Sequence, residues 1–116
     1  MLFIEYPKCT TCKKAKAFLE GQGVTFVCRN IKEDKPTKEE LRKWYEVSTQ
    51  PLKKLFNTSG LLYKELELKD KLDKMSDEEK VSLLATDGML VKRPILITDK
   101  GVMFGFKEED WIKLLK

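Results

Sequence analysis

The sequence contains no histidine among its 116 residues, and arginine occurs only at Arg29, Arg42 and Arg93. Without imidazole, the chain has no Ser-His or Cys-His nucleophile pair, no His-ligated metal site and no imidazole acid–base chemistry. Its 23 basic residues are interspersed with 19 acidic ones, which leaves a net charge of +4. A nucleic-acid surface usually clusters its basic residues among aromatic ones, so we predict no direct contact with nucleic acid.

Long apolar runs are also missing. No segment approaches the roughly 20 apolar residues that span a bilayer, and the first residues lack the charged and apolar regions of a signal peptide. We therefore expect a cytoplasmic protein that does not enter a membrane. A length of 116 residues suits one hydrophobic core, which predicts a single domain over residues 1–116, and we expect this domain to be a monomer.

The two ends of the chain carry the strand signals. Near the N-terminus, apolar patterns predict a strand, a helix that ends at Gly21 and Gly23, and a second strand, over residues 2–6, 10–22 and 24–28. Near the C-terminus, two strands flank a hairpin turn in which Gly101 is expected to supply a positive φ, and a helix follows, over residues 95–98, 102–104 and 107–115.

Helical signals fill the middle, from about residue 36 to residue 88. Two capping boxes, TKEE at 37–40 and SDEE at 76–79, each precede an apolar stripe at helical spacing. The order of elements predicts an α/β protein with a thioredoxin-like fold, a mixed β-sheet and this helical segment as an insertion.

A Cys-Thr-Thr-Cys motif, Cys9 to Cys12, lies where the first strand passes into the first helix. The N–H groups and the positive dipole end of a helix N-terminus stabilise a thiolate. Lys8 and Lys13 add positive charge nearby and are candidate substrate-binding residues. Because Cys12 lies one helical turn further along the same face, we predict that Cys9 is the nucleophile and that Cys12 resolves a mixed disulfide on Cys9.

Two other interpretations of these cysteines compete with redox chemistry. Structural zinc usually takes four Cys or His ligands, and only Cys28 remains in a chain without histidine; we therefore predict no metal site. Alternatively, Cys9 and Cys12 are incidental buried residues. Cys28 alternates with Val24 and Phe26 along its predicted strand, which favours a small buried hydrophobic residue over a third redox thiol.

Arg93 and Pro94 directly precede the predicted strand at 95–98. In the thioredoxin framework a cis-proline occupies this place and faces the active cysteines, so we predict that Pro94 lies at the site and is a candidate substrate-binding residue. Arg93 could then offer its guanidinium to the thiolate or to an oxyanion. The alternative for Arg93 is a surface ion pair.

Four segments together resemble the arsenate-reductase-like (ArsC/Spx) family, and the resemblance covers nearly the whole chain. They are YPKCTTCKKA at 6–15, FNTSG at 56–60, DGMLVKRP at 87–94 and GFKE at 105–108. The chain looks closest to a branch whose members carry Cys-x-x-Cys and are usually labelled reductases. The resemblance implies a thioredoxin-like fold with a helical insertion, Cys9 as the nucleophilic cysteine and Arg93 as the arginine before the proline.

Three functional hypotheses follow. The first is a thiol-dependent oxidoreductase that acts on a small-molecule or protein disulfide or on an oxyanion, with no bound cofactor. It would be reduced by an external thiol, either glutathione-like or of the thioredoxin system. The second, implied by the Spx branch, is a regulator that binds RNA polymerase and uses the disulfide as a switch. The third is a glutathione-dependent arsenate reductase.

The chain departs from the arsenate reductases that it resembles. Those proteins look to use two further arginines to hold the oxyanion, and this chain has Phe56 at one such position and Phe106 or Lys107 at the other. A phenyl ring donates no hydrogen bond, so we expect little or no arsenate reduction.

Overall fold

The computed structural model describes all residues, 1–116, and is built on a four-stranded mixed sheet with the strand order β2-β1-β3-β4. The strands are β1 (Leu2–Glu5), β2 (Val27–Asn30), β3 (Ile95–Thr98) and β4 (Gly101–Phe104). Strand β1 runs parallel to β2 and antiparallel to β3, and β3 is antiparallel to β4. The predicted mixed sheet is therefore confirmed.

Six α-helices accompany the sheet: α1 (Thr10–Gly21), α2 (Lys38–Ser48), α3 (Leu61–Glu65), α4 (Leu68–Lys71), α5 (Asp77–Leu84) and α6 (Glu108–Leu115). Three short 3₁₀ helices, Leu52–Leu55, Leu72–Lys74 and Gly88–Leu90, lie among them. The elements between β2 and β3 are thus all helical. Both predicted capping boxes are present. The hydroxyl groups of Thr37 and Ser76 each accept the backbone N–H of the glutamate three residues on, and their own backbone N–H groups donate to the carboxylate of that glutamate.

The sheet separates two layers of core because successive side chains of a strand point to opposite faces. Ile4 of β1 and its partner Ile95 of β3 pack against the helices between β2 and β3. Their neighbours Phe3 and Leu96 pack on the other face, against α1 and α6. There Phe3 and the fully buried Trp111 meet edge to face, with ring centroids 6.2 Å apart. Two faces of core hold the loops at the sheet ends in place.

Two local predictions are wrong. Strand β2 begins at Val27, and along this edge strand Val27 and Cys28 are exposed. Cys28 is therefore no core residue; the pattern over 24–28 places the strand a few residues too early. Gly101 has no positive φ, because the turn consists of Asp99 and Lys100 only and Gly101 already pairs with Thr98.

A close contact explains the glycine at 101 instead. A side chain there would begin 2.9 Å from a methyl carbon of Leu114 in α6. The positive φ values among the glycines belong to Gly23, which ends α1 as predicted, and to Gly105, which follows β4.

Candidate functional site

Cys9 is the N-cap residue of α1, with extended backbone angles (φ −88°, ψ 121°). The turn that delivers it begins at Tyr6, whose carbonyl accepts the N–H of Cys9 at 2.9 Å. At the helix start, the Cys12 N–H donates to the Cys9 sulfur at 3.4 Å, in the way that an N-cap oxygen usually accepts such a bond. The first turn of α1 therefore presents a backbone donor to the thiol of Cys9.

The two cysteines of the motif are shifted in opposite directions. Burial by itself would raise the pKa of Cys9, but the Cys12 hydrogen bonds and the nearby Arg93 guanidinium lower this pKa below the ordinary thiol value. Burial first, and after it the hydrogen bond and charge of the adjacent Cys9 sulfur, raise the pKa of Cys12 to about 12. Cys9 is thus the thiol of the pair that ionises more readily, and Cys12 is a fully buried thiol one turn behind it.

Arg93 approaches Cys9 from the loop that precedes β3. Its guanidinium carbon lies 5.3 Å from the centroid of the Tyr6 ring, within range of a cation–π contact. Its Nε and Nη1 atoms are shielded from solvent and have no hydrogen-bond partner. Buried donors without acceptors cost about 1–3 kcal/mol each, so a ligand that offered an acceptor to this guanidinium would remove that cost.

The backbone on both sides of Arg93 is tied down. On the N-terminal side, the Lys92 N–H donates to the Leu55 carbonyl at 2.7 Å. On the C-terminal side, the Arg93–Pro94 peptide bond is cis and the Pro94 carbonyl accepts the N–H of Gly105 at 2.8 Å. The segment of the FNTSG motif and the segment of the DGMLVKRP motif therefore meet directly beside the cysteine.

Cys9 and Arg93 line the same open cavity, with a volume of about 490 Å³. The wall opposite α1 is the edge of β4, which Gln50 holds by a two-way pairing: its Nε2 donates to the Phe104 carbonyl and its Oε1 accepts the Phe104 N–H. Three lysines, Lys54, Lys92 and Lys107, also line this cavity, with Asp110 as the one carboxylate. The site combines a cysteine of lowered pKa with an excess of basic side chains.

The predicted site residues separate into two groups. Cys9 and Arg93 line the cavity, Cys12 lies behind Cys9, and the buried Pro94 supports Arg93. Lys8 and Lys13 are exposed and lie outside the cavity lining, so the structure does not bring these two candidate substrate-binding residues into the site.

Sequence reasoning missed Lys54 and Lys92. Lys54 belongs to the 3₁₀ helix Leu52–Leu55, and Lys92 directly precedes Arg93. No local sequence pattern indicates that these two lysines lie near Cys9. Their position depends on an isolated bridge between Phe56 and Val91, which joins distant parts of the chain.

The two positions where the resemblance suggested arginines are occupied as follows. Phe56 is buried and packs near Tyr63, with centroids 6.4 Å apart. Phe106 packs on Trp111 at 4.9 Å while it lines the cavity, and Lys107 follows it at the rim. Arg93 is accordingly the one arginine at the cavity.

Cys28 lies in a different environment, on the outer strand β2. It pairs in register with Phe3, two residues from Glu5, and the Glu5 carboxylate is 3.6 Å from the Lys16 ammonium of α1. Partial burial and, after it, the hydrogen bond and charge of Glu5 raise the pKa of Cys28. Nowhere do three or more Cys, Asp or Glu side chains converge in a way that could hold a metal ion.

Fold and site together define the class: a thioredoxin-like α/β protein with a cysteine pair at the start of its first helix and a cis-proline before its third strand. No helix is long and apolar enough to cross a membrane. The chain belongs to the ArsC family, whose model matches residues 4–114, and the resemblance inferred from the four segments is thereby confirmed.

Individual relatives share this architecture over nearly their whole length. The chain is 50% identical to YusI of Bacillus subtilis over 111 residues, which is 96% of this chain and 94% of YusI. It is 30% identical to the regulatory protein MgsR of Bacillus subtilis, over 100% of this chain and 90% of MgsR. A solved structure of an ArsC family related protein from Bacteroides fragilis superposes with a TM-score of 0.95 at 51% identity, covering 97% of this chain and 95% of that one.

Proposed function

We propose that this protein is a thiol–disulfide oxidoreductase in which Cys9 is the nucleophile and Cys12 the resolving thiol. The observation that carries the proposal is the difference between the surroundings of the two sulfurs. Cys9 lines an open cavity beside Arg93 and accepts a helix N–H, whereas Cys12 is fully buried behind it. The thiolate is the nucleophilic form of cysteine, so attack begins at Cys9.

The reaction proceeds by two exchanges. The Cys9 thiolate attacks one sulfur of the substrate disulfide, forms a mixed disulfide and expels the other half as a thiolate. Cys12 then loses its proton and attacks the Cys9 sulfur, which forms the Cys9–Cys12 disulfide and releases the second half as a thiol. The mixed disulfide removes the negative charge of Cys9, which is one cause of the raised pKa of Cys12. This cause is therefore absent at the step in which Cys12 must lose its proton and attack.

An external thiol must return two electrons to the Cys9–Cys12 disulfide, and no bound cofactor is needed. We propose that this reductant is a glutathione-like thiol or a thioredoxin-type dithiol, that the protein works as a monomer, and that it does so in the cytoplasm, where such thiols are available.

The test is a redox titration of the purified protein, with the thiols alkylated at each potential and mapped by mass spectrometry. We expect a reversible Cys9–Cys12 disulfide near the cytosolic potential, with Cys28 a thiol throughout. Cys12→Ser should accumulate mixed disulfides on Cys9, and Cys9→Ser should reduce turnover to the uncatalysed rate. Full turnover in Cys9→Ser would show that another group is the nucleophile.

A second candidate function is a redox-responsive regulator that docks on RNA polymerase, and the likeness to MgsR favours it. Capture from a lysate, with oxidised and reduced protein as bait, separates the two functions. Stoichiometric capture of polymerase in only one redox state would support the regulator. Capture of many proteins through mixed disulfides on Cys12→Ser would support the oxidoreductase.

Arsenate reduction is the third function that the family suggests. The cavity offers Arg93 as its one guanidinium, and the phenyl rings of Phe56 and Phe106 donate no hydrogen bonds. We therefore expect no saturable turnover of arsenate when glutathione is supplied as reductant.

A further inference from the structure

Lys54, Lys92 and Lys107 reach the cavity of Cys9 from three separate segments and form what we call the lysine rim. Lys54 belongs to the 3₁₀ helix Leu52–Leu55, Lys92 precedes Arg93, and Lys107 is the N-cap residue of α6. None of the three makes an ion pair, although five ion pairs engage lysines and arginines elsewhere. These three side chains therefore line the cavity without an ion-pair partner.

Contacts within the fold fix the position of the lysine rim, and those of Lys92 are the most extensive. The Lys92 N–H is bonded to the Leu55 carbonyl at 2.7 Å, which places Lys92 beside the helix that carries Lys54. The aliphatic part of Lys92 lies over Gly105, where a side chain would begin 3.1 Å from the Lys92 Cε atom. Gly105 also has a φ of +86°, a conformation that suits glycine. Lys107 lies two residues further along the chain.

The size of the cavity indicates what the rim binds. A volume of about 490 Å³ falls in the range of sites for organic ligands, and a tetrahedral oxyanion would leave most of it empty. Arg93 lies at the Cys9 end, with its Nε and Nη1 atoms lacking acceptors. The lysines therefore lie where the remainder of a larger molecule would extend from the sulfur under attack.

We propose that the lysine rim is a binding subsite for the carboxylate-bearing half of a low-molecular-weight disulfide, so that the substrates are disulfides of anionic thiols. This inference rests on the function proposed above and adds the substrate class to it. Cys9 forms a disulfide with one half of the substrate and expels the other half as a thiolate. Cys12 then displaces the bound half as a thiol, and an external dithiol re-reduces the Cys9–Cys12 pair.

The physical role of the rim is to reverse an unfavourable charge effect. A thiolate attacks an anionic disulfide more slowly than a neutral one and a cationic disulfide fastest, because like charges repel. Ammonium groups close to the carboxylates offset this repulsion. In a protein with the rim, the anionic disulfide should therefore react faster than the neutral one.

The experiment compares three symmetric disulfides of similar size in stopped-flow reactions with the reduced protein: 3,3′-dithiodipropionate (anionic), bis(2-hydroxyethyl) disulfide (neutral) and cystamine (cationic). Mass spectrometry of the Cys12→Ser variant, in which no resolving thiol removes the adduct, confirms that the adduct is on Cys9. We expect the anionic compound to react about tenfold faster than the neutral one, since each partly exposed charge pair contributes up to roughly a factor of five. 2-Mercaptoethanol, a free thiol with no other charged group and no rim, should show the opposite order.

The variants test whether the rim causes this preference. In the triple variant Lys54→Gln, Lys92→Gln, Lys107→Gln, the ratio of the anionic to the neutral rate should fall towards the ratio seen with 2-mercaptoethanol. Lys43→Gln is the matched control, because Lys43 is exposed, makes no ion pair and lies outside the cavity; it should keep the wild-type ratio. If the triple variant does not fold, the three single variants and the salt dependence of the wild-type ratio replace it, because added salt should weaken the preference.

The outcomes separate this inference from the function on which it rests. If all three compounds form adducts on Cys9 in the order of the free thiol, the substrate class is wrong and the oxidoreductase stands. The same conclusion follows if the triple variant keeps the wild-type ratio. If no compound oxidises the wild-type Cys9–Cys12 pair or forms an adduct on Cys9 of the Cys12→Ser variant, the proposed function fails and the lysine rim loses its role with it.

Discussion

Cys9 and Cys28 lie in the same βαβ unit and both have access to solvent, yet their surroundings set them on opposite sides of the ordinary thiol pKa. Cys9 accepts a helix N–H and lies near Arg93. Cys28 lies on the outer strand of the sheet, beside the Glu5 carboxylate. The more exposed cysteine is thus the one in which the thiolate is disfavoured.

The comparison shows that charge, rather than exposure, distinguishes the candidate nucleophile in this fold. The crossing from β1 into α1 brings Cys9 to a helix N-terminus, where N–H groups point at the sulfur. The edge of the sheet offers Cys28 no such donors, and the nearest charge is negative.

The rates of alkylation should separate the three thiols. Near neutral pH, iodoacetamide should modify Cys9 first, Cys28 more slowly and the buried Cys12 last, because its pKa of about 12 keeps it protonated. At a pH below both pKa values, two thiols whose pKa values differ by one unit differ about tenfold in their thiolate fraction. Peptide mapping of timed samples measures the three rates, and in urea they should converge. Modification of Cys28 before Cys9 would contradict the comparison.

Arg93→Gln should move Cys9 towards the behaviour of Cys28. The guanidinium lowers the pKa of Cys9, so its loss raises that pKa, and the alkylation rate should reach its plateau at a higher pH than in the wild type. At neutral pH the variant therefore has less thiolate. Arg42→Gln is the matched control, because Arg42 pairs with Glu78 at the surface; its profile should coincide with that of the wild type.

The local part of this site could be read from the sequence. The spacing of Cys9 and Cys12, the helix that starts between them and the two capping boxes depend on residues within one or two turns. Arg93 and Pro94 could be assigned because a strand pattern follows them directly.

The remainder depends on long-range pairing. Lys54 and Lys92 come together through the bridge between Phe56 and Val91 and the bond from Lys92 to Leu55, which no local pattern announces. Cys28 was misassigned because the alternation over 24–28 does not say where pairing with β1 begins. The register Leu2 to Val27 decides that, and it leaves Cys28 on an open edge.

Glu5→Gln should make Cys28 more reactive. The Glu5 carboxylate raises the pKa of Cys28 through a hydrogen bond and its charge, while Glu20 acts through charge alone and more weakly. Removing the Glu5 charge lowers that pKa, so alkylation of Cys28 near neutral pH should accelerate severalfold. Glu20→Gln should accelerate it less. Equal rates in the two variants and the wild type would mean that the carboxylates do not hold Cys28 protonated.

Cys28→Ala should have the smallest effect of all. The side chain is exposed on an edge strand and takes no part in either core cluster, so the free energy of unfolding in urea should change by less than about 0.5 kcal/mol. Disulfide turnover and the Cys9–Cys12 redox titration should also be unchanged, because both exchanges use sulfurs at the other end of the unit. A loss of turnover in this variant would make Cys28 a third redox thiol, and exposure would then matter more than the charges around Cys9 suggest.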